Sequence, residues 1–131
     1  MKSTLVALRD VVDTKTGTRN PTTTPEQTFS YVDVASIDNQ RKVITEARTL
    51  LGSEAPSRAR KLIRRGDILV STVRPNLNAV AMVPASLDGE VASTGCCVLR
   101  ATERALPEYI FFFVQSPNVT TRPLDRSLPM P

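Results

Sequence analysis

Histidine is absent from this sequence of 131 residues, and its absence limits the possible chemistry more than any other feature of the composition. Without it the chain cannot supply a Ser-His or Cys-His nucleophile pair, a histidine general base or the histidine of a zinc-deaminase site. The segment 93–97 (STGCC) has hydroxyl and thiol groups but no base to activate them, and its apolar context favours core packing. Most hydrolase mechanisms are therefore excluded.

Aromatic residues are scarce, at 5 %, and tryptophan is missing, so the chain has few platforms on which single-stranded bases could stack. Lysine and arginine number 17 against 13 acidic residues, which gives a net charge of +4 and a pI of about 9.5. An excess of positive charge favours an anionic partner. Double-stranded DNA fits this composition better than a single strand does.

Cysteine is limited to Cys96 and Cys97, which are adjacent within an apolar run and have no other cysteine to pair with. We interpret them as reduced core residues of a cytoplasmic protein. Long apolar runs are lacking as well, since no stretch approaches the roughly 20 residues that cross a bilayer and no segment has the pattern of a secretion signal. The sequence therefore predicts a soluble, cytoplasmic protein without a membrane partner.

The most informative stretch is residues 55–83 (APSRARKLIRRGDILVSTVRPNLNAVAMV). Its first part predicts a helix over 55–65, because proline suits the first turn, Gly66 suits the left-handed position after the last turn, and apolar residues recur at helical spacing. This helix would carry a set of cations that we interpret as contacts to DNA phosphates: Arg58, Arg60, Lys61, Arg64 and Arg65. A solvated helix face that keeps the protein soluble is the alternative.

Two loops are candidates for reading bases. The turn that follows a predicted strand contains Arg74, Asn76 and Asn78, whose side chains can pair with guanine and adenine edges in the major groove. Turn chemistry explains the asparagines almost as well. The other candidate is the Thr- and Pro-rich segment 14–28, with Lys15 and Arg19, for which an unstructured linker is the alternative.

The remaining patterns predict an α+β fold, a small single domain in which a few short helices accompany a twisted, mostly antiparallel sheet or partial barrel. Strands are expected at 29–37, 68–73, 78–83 and 91–100, with another within 41–51. A short helix over 5–12 is compatible with the apolar spacing there. A last helix begins near Pro107 and continues through the apolar segment 110–114, which suits either the core or a partner surface.

Taken in order, these elements resemble a target recognition domain of the specificity subunit of type I restriction-modification systems. The matching pieces are LRDVVDTKTGT, YVDVASIDNQRKV, APSRARKLIRRGDILVSTVRPNL, VASTGCCVLRA and PEYIFFFVQSP. The resemblance covers nearly the full chain, and the series Ala-Pro, Arg-Ala-Arg, Gly-Asp-Ile-Leu-Val-Ser is its most specific part. We assign 1–119 to one DNA-binding domain and 120–131 to an extended, poorly ordered proline-rich tail, where the family continues into a spacer helix.

The resemblance implies that the chain recognises one half of a bipartite site in double-stranded DNA. The chain itself is then expected not to be an enzyme and to need neither a metal nor another cofactor. Catalysis would belong to methyltransferase (M) and restriction/translocase (R) subunits, which hold the S-adenosylmethionine and ATP chemistry. Family members carry two recognition domains separated by long helices, so this chain is expected to be a fragment, a truncated product or a half-subunit.

Two other interpretations remain open at this stage. In one, the chain is an interaction module that docks on a partner, or self-associates, through the apolar segment 110–114 without independent DNA binding. In the other, it is a metal-dependent nuclease built on Asp33, Asp38 and Asp67, although these acids lack a recognisable metal-ligand spacing.

Overall fold

The computed structural model describes residues 4–7, 11–38, 40–71, 79–115 and 127–130, the first and last of these ranges as backbone only. It contains twelve strands and one α-helix within these ranges, together with four short 3-10 helices. The strands are β1 (Thr4–Ala7), β2 (Val12–Asp13), β3 (Thr28–Val32), β4 (Ile37–Asp38), β5 (Val43–Ile44), β6 (Arg48–Leu51), β7 (Ala59–Leu62), β8 (Ile68–Ser71), β9 (Val80–Met82), β10 (Val91–Ser93), β11 (Cys96–Ala101) and β12 (Ser127–Met130); the helix is α1 (Pro107–Val114).

Two four-stranded sheets form most of the fold. The first has the strand order β6-β3-β10-β7 and the second the order β2-β11-β8-β9. Strands β10 and β3 run parallel, whereas every other pairing in the two sheets is antiparallel. Strands β4 and β5 form a separate small hairpin, and β1 pairs with β12. The expected α+β fold with mostly antiparallel sheets is confirmed, and over the ranges given above the sheets do not close into a barrel.

The core follows from the alternation of side chains along the second sheet. In β8, Leu69 belongs to a buried cluster shared with the first sheet, whereas Ile68 and Val70 belong to a second cluster on the opposite face. Ile110 and Val114 of α1 complete that second cluster. Because successive strand residues point to opposite faces, one apolar strand serves two cores.

The predicted helix over 55–65 is wrong. Residues 59–62 form β7 instead, which pairs with β10 and buries Ala59 and, just beyond its end, Ile63. Ala55 already has extended backbone angles, φ −63° and ψ 126°, so no helix begins there. Gly66 does adopt a left-handed φ of +87°, but it lies in the turn between β7 and β8. Tertiary pairing has outweighed a helical pattern that was consistent but short.

Other local predictions have mixed outcomes. The short helix over 5–12 is wrong: that region contains β1 and β2, in keeping with its β-branched residues. The expected single strand within 41–51 is two strands, β5 and β6, and that of 91–100 is split between β10 and β11 by a turn. Strands β8 and β9 and helix α1 lie where they were expected. Residues 120–126 and 131 of the predicted tail lie outside the described ranges, while 127–130 is the extended strand β12.

Candidate nucleic-acid interface

Two separate regions singled out in the sequence meet along β7. The segment Gly17–Arg19 runs antiparallel to the edge of this strand, with the backbone N–H of Arg19 donating to the carbonyl of Arg60 at 2.9 Å and that of Leu62 donating to the carbonyl of Gly17 at 3.2 Å. Thr18 lies directly opposite Lys61. The Thr-rich segment is therefore in part an additional edge of the first sheet rather than a free linker.

Strand β7 carries a bulge at its cationic centre. Ala59 lies opposite Ser93 of β10 and Lys61 opposite Ala92, so Arg60 is an extra residue with no opposite residue in β10. Its guanidinium Nη1 donates to the carbonyls of Pro56 and Ala59, at 3.3 and 2.9 Å. Bulges re-aim side chains, and here the half-buried Arg60 is held partly against its own backbone.

Lys61 is also held in place. Its Nζ donates to the carbonyl of Cys96 at 2.6 Å, which ties the centre of β7 to the start of β11. The side chain is half-buried. Because an ammonium group has three donors, this single bond leaves two of them free.

The other three cations of the basic stretch are exposed, but they do not share one face. Arg58 lies before β7, beside the turn that joins β10 to β11, where its carbonyl accepts from Thr94 N–H at 2.9 Å. Arg64 and Arg65 lie after the strand, at its opposite end. The strand Ala59–Leu62 lies between the two groups. Within the described ranges, none of the three guanidinium groups has a hydrogen-bond or ion-pair partner.

Lys15 and Arg19 differ in the contacts that their side chains make. Arg19 reaches across the end of β7, where its Nη1 lies 2.8 Å from the carbonyl oxygen of Gly89 and 3.4 Å from Oε1 of Glu90. Lys15 is exposed and uses its backbone N–H, which donates to Asp13 Oδ1 at 2.9 Å. Of these two side chains, only that of Lys15 has no hydrogen-bond or ion-pair partner within the described ranges.

The predicted reading residues Arg74, Asn76 and Asn78 lie outside the described residues. The loop that contains them connects β8 to β9, where Ser71 N–H donates to the carbonyl of Ala79 at 2.9 Å. Ser71 also pairs with Cys96 at the start of β11. Ser71 therefore lies at the same end of the molecule as Arg58.

The residues considered for catalysis have structural roles. Ser93 and Cys96 are buried, and burial raises the pKa of the Cys96 thiol to about 12, so the thiol is neutral at physiological pH. The carboxylates of Asp33 and Asp38 accept backbone N–H groups in their own turns, and Asp67 is buried against Arg100. In the described part of the chain, no group of three or more potential metal ligands is found.

Two of the solved structures found by comparison with known proteins have nearly the same shape as this chain. The HsdS subunit of Thermoanaerobacter tengcongensis superposes on 98 % of this chain with a TM-score of 0.90 and 37 % identity. A structure concerned with complex assembly and conformational transition of the type I R-M system superposes on 100 % of it, with a TM-score of 0.90 and 35 % identity. The chain has the fold of a type I specificity subunit segment. The resemblance inferred from the sequence motifs is confirmed.

Sequence comparison agrees with this result. The specificity subunit of the type I restriction enzyme HindI from Haemophilus influenzae is 38 % identical over 69 residues, which is 52 % of this chain and 15 % of that protein. The chain spans 37 % and 39 % of the two solved chains. No family model matches it. It therefore corresponds to a minor part of the specificity subunits that it matches.

The described part of the chain contains no helix long and apolar enough to cross a membrane.

Proposed function

We propose that this chain is a sequence-specific module that binds double-stranded DNA and recognises one half-site for a type I restriction-modification specificity subunit. The observation that carries the proposal is the match to HsdS along 98 % of the chain, at a TM-score of 0.90 and 37 % identity. Fold alone does not establish function, so the charges of the surface must support it as well.

The exposed cations supply that support. Arg58, Arg64 and Arg65 carry three guanidinium groups without partners in the described structure, and guanidinium is well suited to phosphate oxygens. Their separation along β7 suits a duplex backbone that extends past the domain better than a single small anion. Contacts of this kind set affinity and orientation but carry no sequence information.

Base reading is assigned in this proposal to the loop with Arg74, Asn76 and Asn78. Bidentate pairs of arginine with guanine and of asparagine with adenine are each worth about 1–3 kcal/mol of discrimination. Ser71, which directly precedes this segment in the sequence, lies at the same end of the molecule as Arg58, so a duplex touching that arginine would run past Ser71.

Duplex binding by the full chain tests the proposal. Fluorescence anisotropy with a labelled duplex of mixed sequence, over a range of salt concentrations, should show binding that weakens steeply as salt rises. Arg58→Glu and the double variant Arg64→Glu/Arg65→Glu should each weaken binding. Arg48→Glu is the matched control, because Arg48 is exposed on β6, at the opposite edge of the same sheet.

The proposal is contradicted if wild-type protein fails to bind duplex at low salt. It is also contradicted if the three charge-reversal variants are equally affected, since that result reflects net charge rather than a defined surface. A loss confined to one end of β7 would identify the end that faces the DNA.

We further propose that the chain is not catalytic and acts in the cytoplasm, with methyltransferase (M) and restriction/translocase (R) subunits carrying the chemistry. Incubation of the pure protein with plasmid and magnesium or manganese should leave the plasmid intact. Cleavage would contradict the proposal directly. Co-purification with the two subunits of the same system, with and without a duplex, tests the partners.

Docking through α1 is the second candidate function. Phe112 of this helix is 79 % exposed, whereas Ile110 and Val114 on the other side are buried. A large exposed aromatic side chain is a common feature of partner surfaces. Light scattering that shows a concentration-dependent oligomer, lost in Phe112→Glu and indifferent to DNA, would favour this function over DNA binding.

A further inference from the structure

A small cavity lies where the Thr-rich segment crosses β7 and β11. Its volume is about 290 Å³. The exposed residues Thr14, Lys15, Gly17 and Thr18 form part of its wall, so it is open to solvent on that side. The full lining is Thr14, Lys15, Thr16, Gly17, Thr18, Lys61, Cys97 and Val98.

The charge of Lys61 has no counter-ion in this cavity. The ion pairs found in the described ranges join Arg19 to Glu90 and Arg100 to Asp67, and neither involves Lys61. Its one hydrogen bond goes to the carbonyl of Cys96 and leaves two N–H donors free. A half-buried ammonium without a carboxylate partner is unfavourable unless something negative approaches it.

Thr16 gives an independent indication of a missing ligand. The residue is 6 % exposed, and no hydrogen bond of its hydroxyl is found within the described structure. Buried hydroxyl groups normally have a partner. Thr16 lines the same cavity as Lys61, so one ligand could engage both groups.

The local backbone brings further donors to this point. Thr18 lies opposite Lys61 across an antiparallel bridge, and residues directly opposite in such a pair have neighbouring side chains on one face. Gly17 has a left-handed φ of +93°, which lets the segment turn close to Leu62. Hydroxyl groups of the threonines and the ammonium groups of Lys15 and Lys61 are therefore available at one opening.

The chemistry of this lining favours an anion with several oxygens. No carboxylate lines the cavity, whereas two ammonium groups and three threonine hydroxyls do. Burial raises the pKa of the Cys97 thiol, so the cavity floor carries no thiolate at neutral pH. A phosphate group matches this set of donors, and a cation does not.

We propose that the cavity bounded by residues 14–18 and Lys61 is a binding site for one phosphate group. The assignment of this phosphate to the DNA backbone rests on the proposed function. The site itself rests on the geometry of the cavity. If the phosphate belongs to DNA, residues 14–18 bind the DNA backbone at the edge of β7, and Lys61 and Thr16 are binding residues. A free phosphate is the other possible source of the same chemistry.

Titration of the full chain with inorganic phosphate, followed by amide NMR, tests the site without DNA. The amides of residues 14–18 should shift on titration in wild type and in Arg48→Gln, which removes one exposed positive charge elsewhere. They should not shift in Lys61→Gln, and the response of Thr16→Val should be at least several-fold weaker. Thr16→Val keeps the shape of the side chain and removes only a hydroxyl that has no partner among the described residues, so it should remain folded even if Lys61→Gln does not.

Duplex binding then distinguishes the two sources. If the phosphate is a DNA phosphate, Lys61→Gln should reduce the slope of log K against log salt by about 0.9, and affinity at 0.1 M salt by about tenfold, relative to Arg48→Gln. An unchanged slope together with a positive phosphate titration overturns the assignment to DNA. If wild type binds no duplex, the proposed function fails while the phosphate titration still decides the site. No shift of these amides in wild type overturns the site itself.

Discussion

Asp67 and Arg100 form a two-pronged ion pair between the start of β8 and β11. Nε of Arg100 lies 2.9 Å from Oδ1 of Asp67, and Nη2 lies 2.8 Å from Oδ2. Oδ2 also accepts the backbone N–H of Arg64, at 2.8 Å. The Asp67 side chain is 1 % exposed, so its charge depends on these donors. The pair links the β7–β8 turn, which carries two of the exposed arginines, to the centre of the second sheet.

Arg100→Met should lower the free energy of unfolding by about 3 kcal/mol, because removal of one partner leaves the other charge buried and uncompensated. Urea denaturation measures the effect. Arg48→Met removes the same group from an exposed position and should cost less than about 0.5 kcal/mol. Equal losses in the two variants would mean that the ion pair contributes nothing beyond a surface charge.

Gly52→Ala should destabilise the segment around residues 21–24. A Cβ at this position would collide with the carbonyl oxygens of Pro21 and Thr24. Backbone atoms cannot rotate away as a flexible side chain can, so we expect a loss of about 2 kcal/mol or more. Ser53→Ala, at the exposed neighbouring position, is the control and should be close to wild type by thermal denaturation. A stable Gly52→Ala protein would contradict the close packing of the two 3-10 helices Pro21–Thr23 and Gly52–Glu54.

Cys96 should resist alkylation in the folded state. Its pKa is raised from 9.0 to about 12 by burial, so iodoacetamide at pH 8 should modify it only after unfolding in urea, as mass spectrometry would show.

The raised pKa of Cys96 also predicts a pH dependence of stability. Below pH 9 the thiol is neutral in both states. As the pH rises from 9 towards 12, only the unfolded chain loses the proton, so the stability contributed by Cys96 is lost.

The comparison of wild type with Cys96→Ala isolates this contribution. Both proteins contain lysines and tyrosines that titrate in the same range, so only the difference between their stability curves reports on the thiol. Wild type should lose stability more steeply above pH 9 than the variant does. If the stability curves of wild type and Cys96→Ala run parallel above pH 9, burial does not raise the pKa of the Cys96 thiol.

Asp38 should titrate below its ordinary value of 3.8. Its pKa is lowered by hydrogen bonds from the backbone N–H groups of Arg41 and Gln40. The turn between β4 and β5 therefore gains support from the carboxylate above pH 3.8 and loses it as the pH falls through the lowered pKa. An NMR titration of the amides of residues 40 and 41 measures this. A midpoint at or above 3.8 would contradict the turn geometry.

Local patterns in the sequence were sufficient for several elements. Strands β8, β9 and β11 follow the two-residue alternation of their apolar side chains, including the placement of Cys96 and Cys97 on opposite faces. Helix α1 begins at Pro107, as the proline predicts. These signals depend on neighbouring residues only, and the surrounding fold does not overrule them. The motif series that resembles specificity subunits is likewise a property of residue order.

The candidate interface could not be derived in the same way. Residues 59–62 are a strand because residues 91–93 and 17–19 supply hydrogen-bond partners on its two sides, and no local pattern announces partners so distant in the sequence. The cations predicted for one helix surface are consequently divided between the two ends of β7. The cavity at Lys61 has the same origin, since its walls come from three separate parts of the chain.

The sequence by itself determined the α+β class, the lack of histidine-dependent chemistry and the resemblance to a specificity subunit, because composition and residue order are sufficient for each of these. Only the tertiary structure decided which cations of the described ranges have no partner there, which are bound to carbonyls and carboxylates, and where a buried hydroxyl is left without a partner in those same ranges. Hydrogen bonding and desolvation act between groups that are close in space. Groups that are close in space can be far apart in the sequence, so the sequence alone does not show which of them interact.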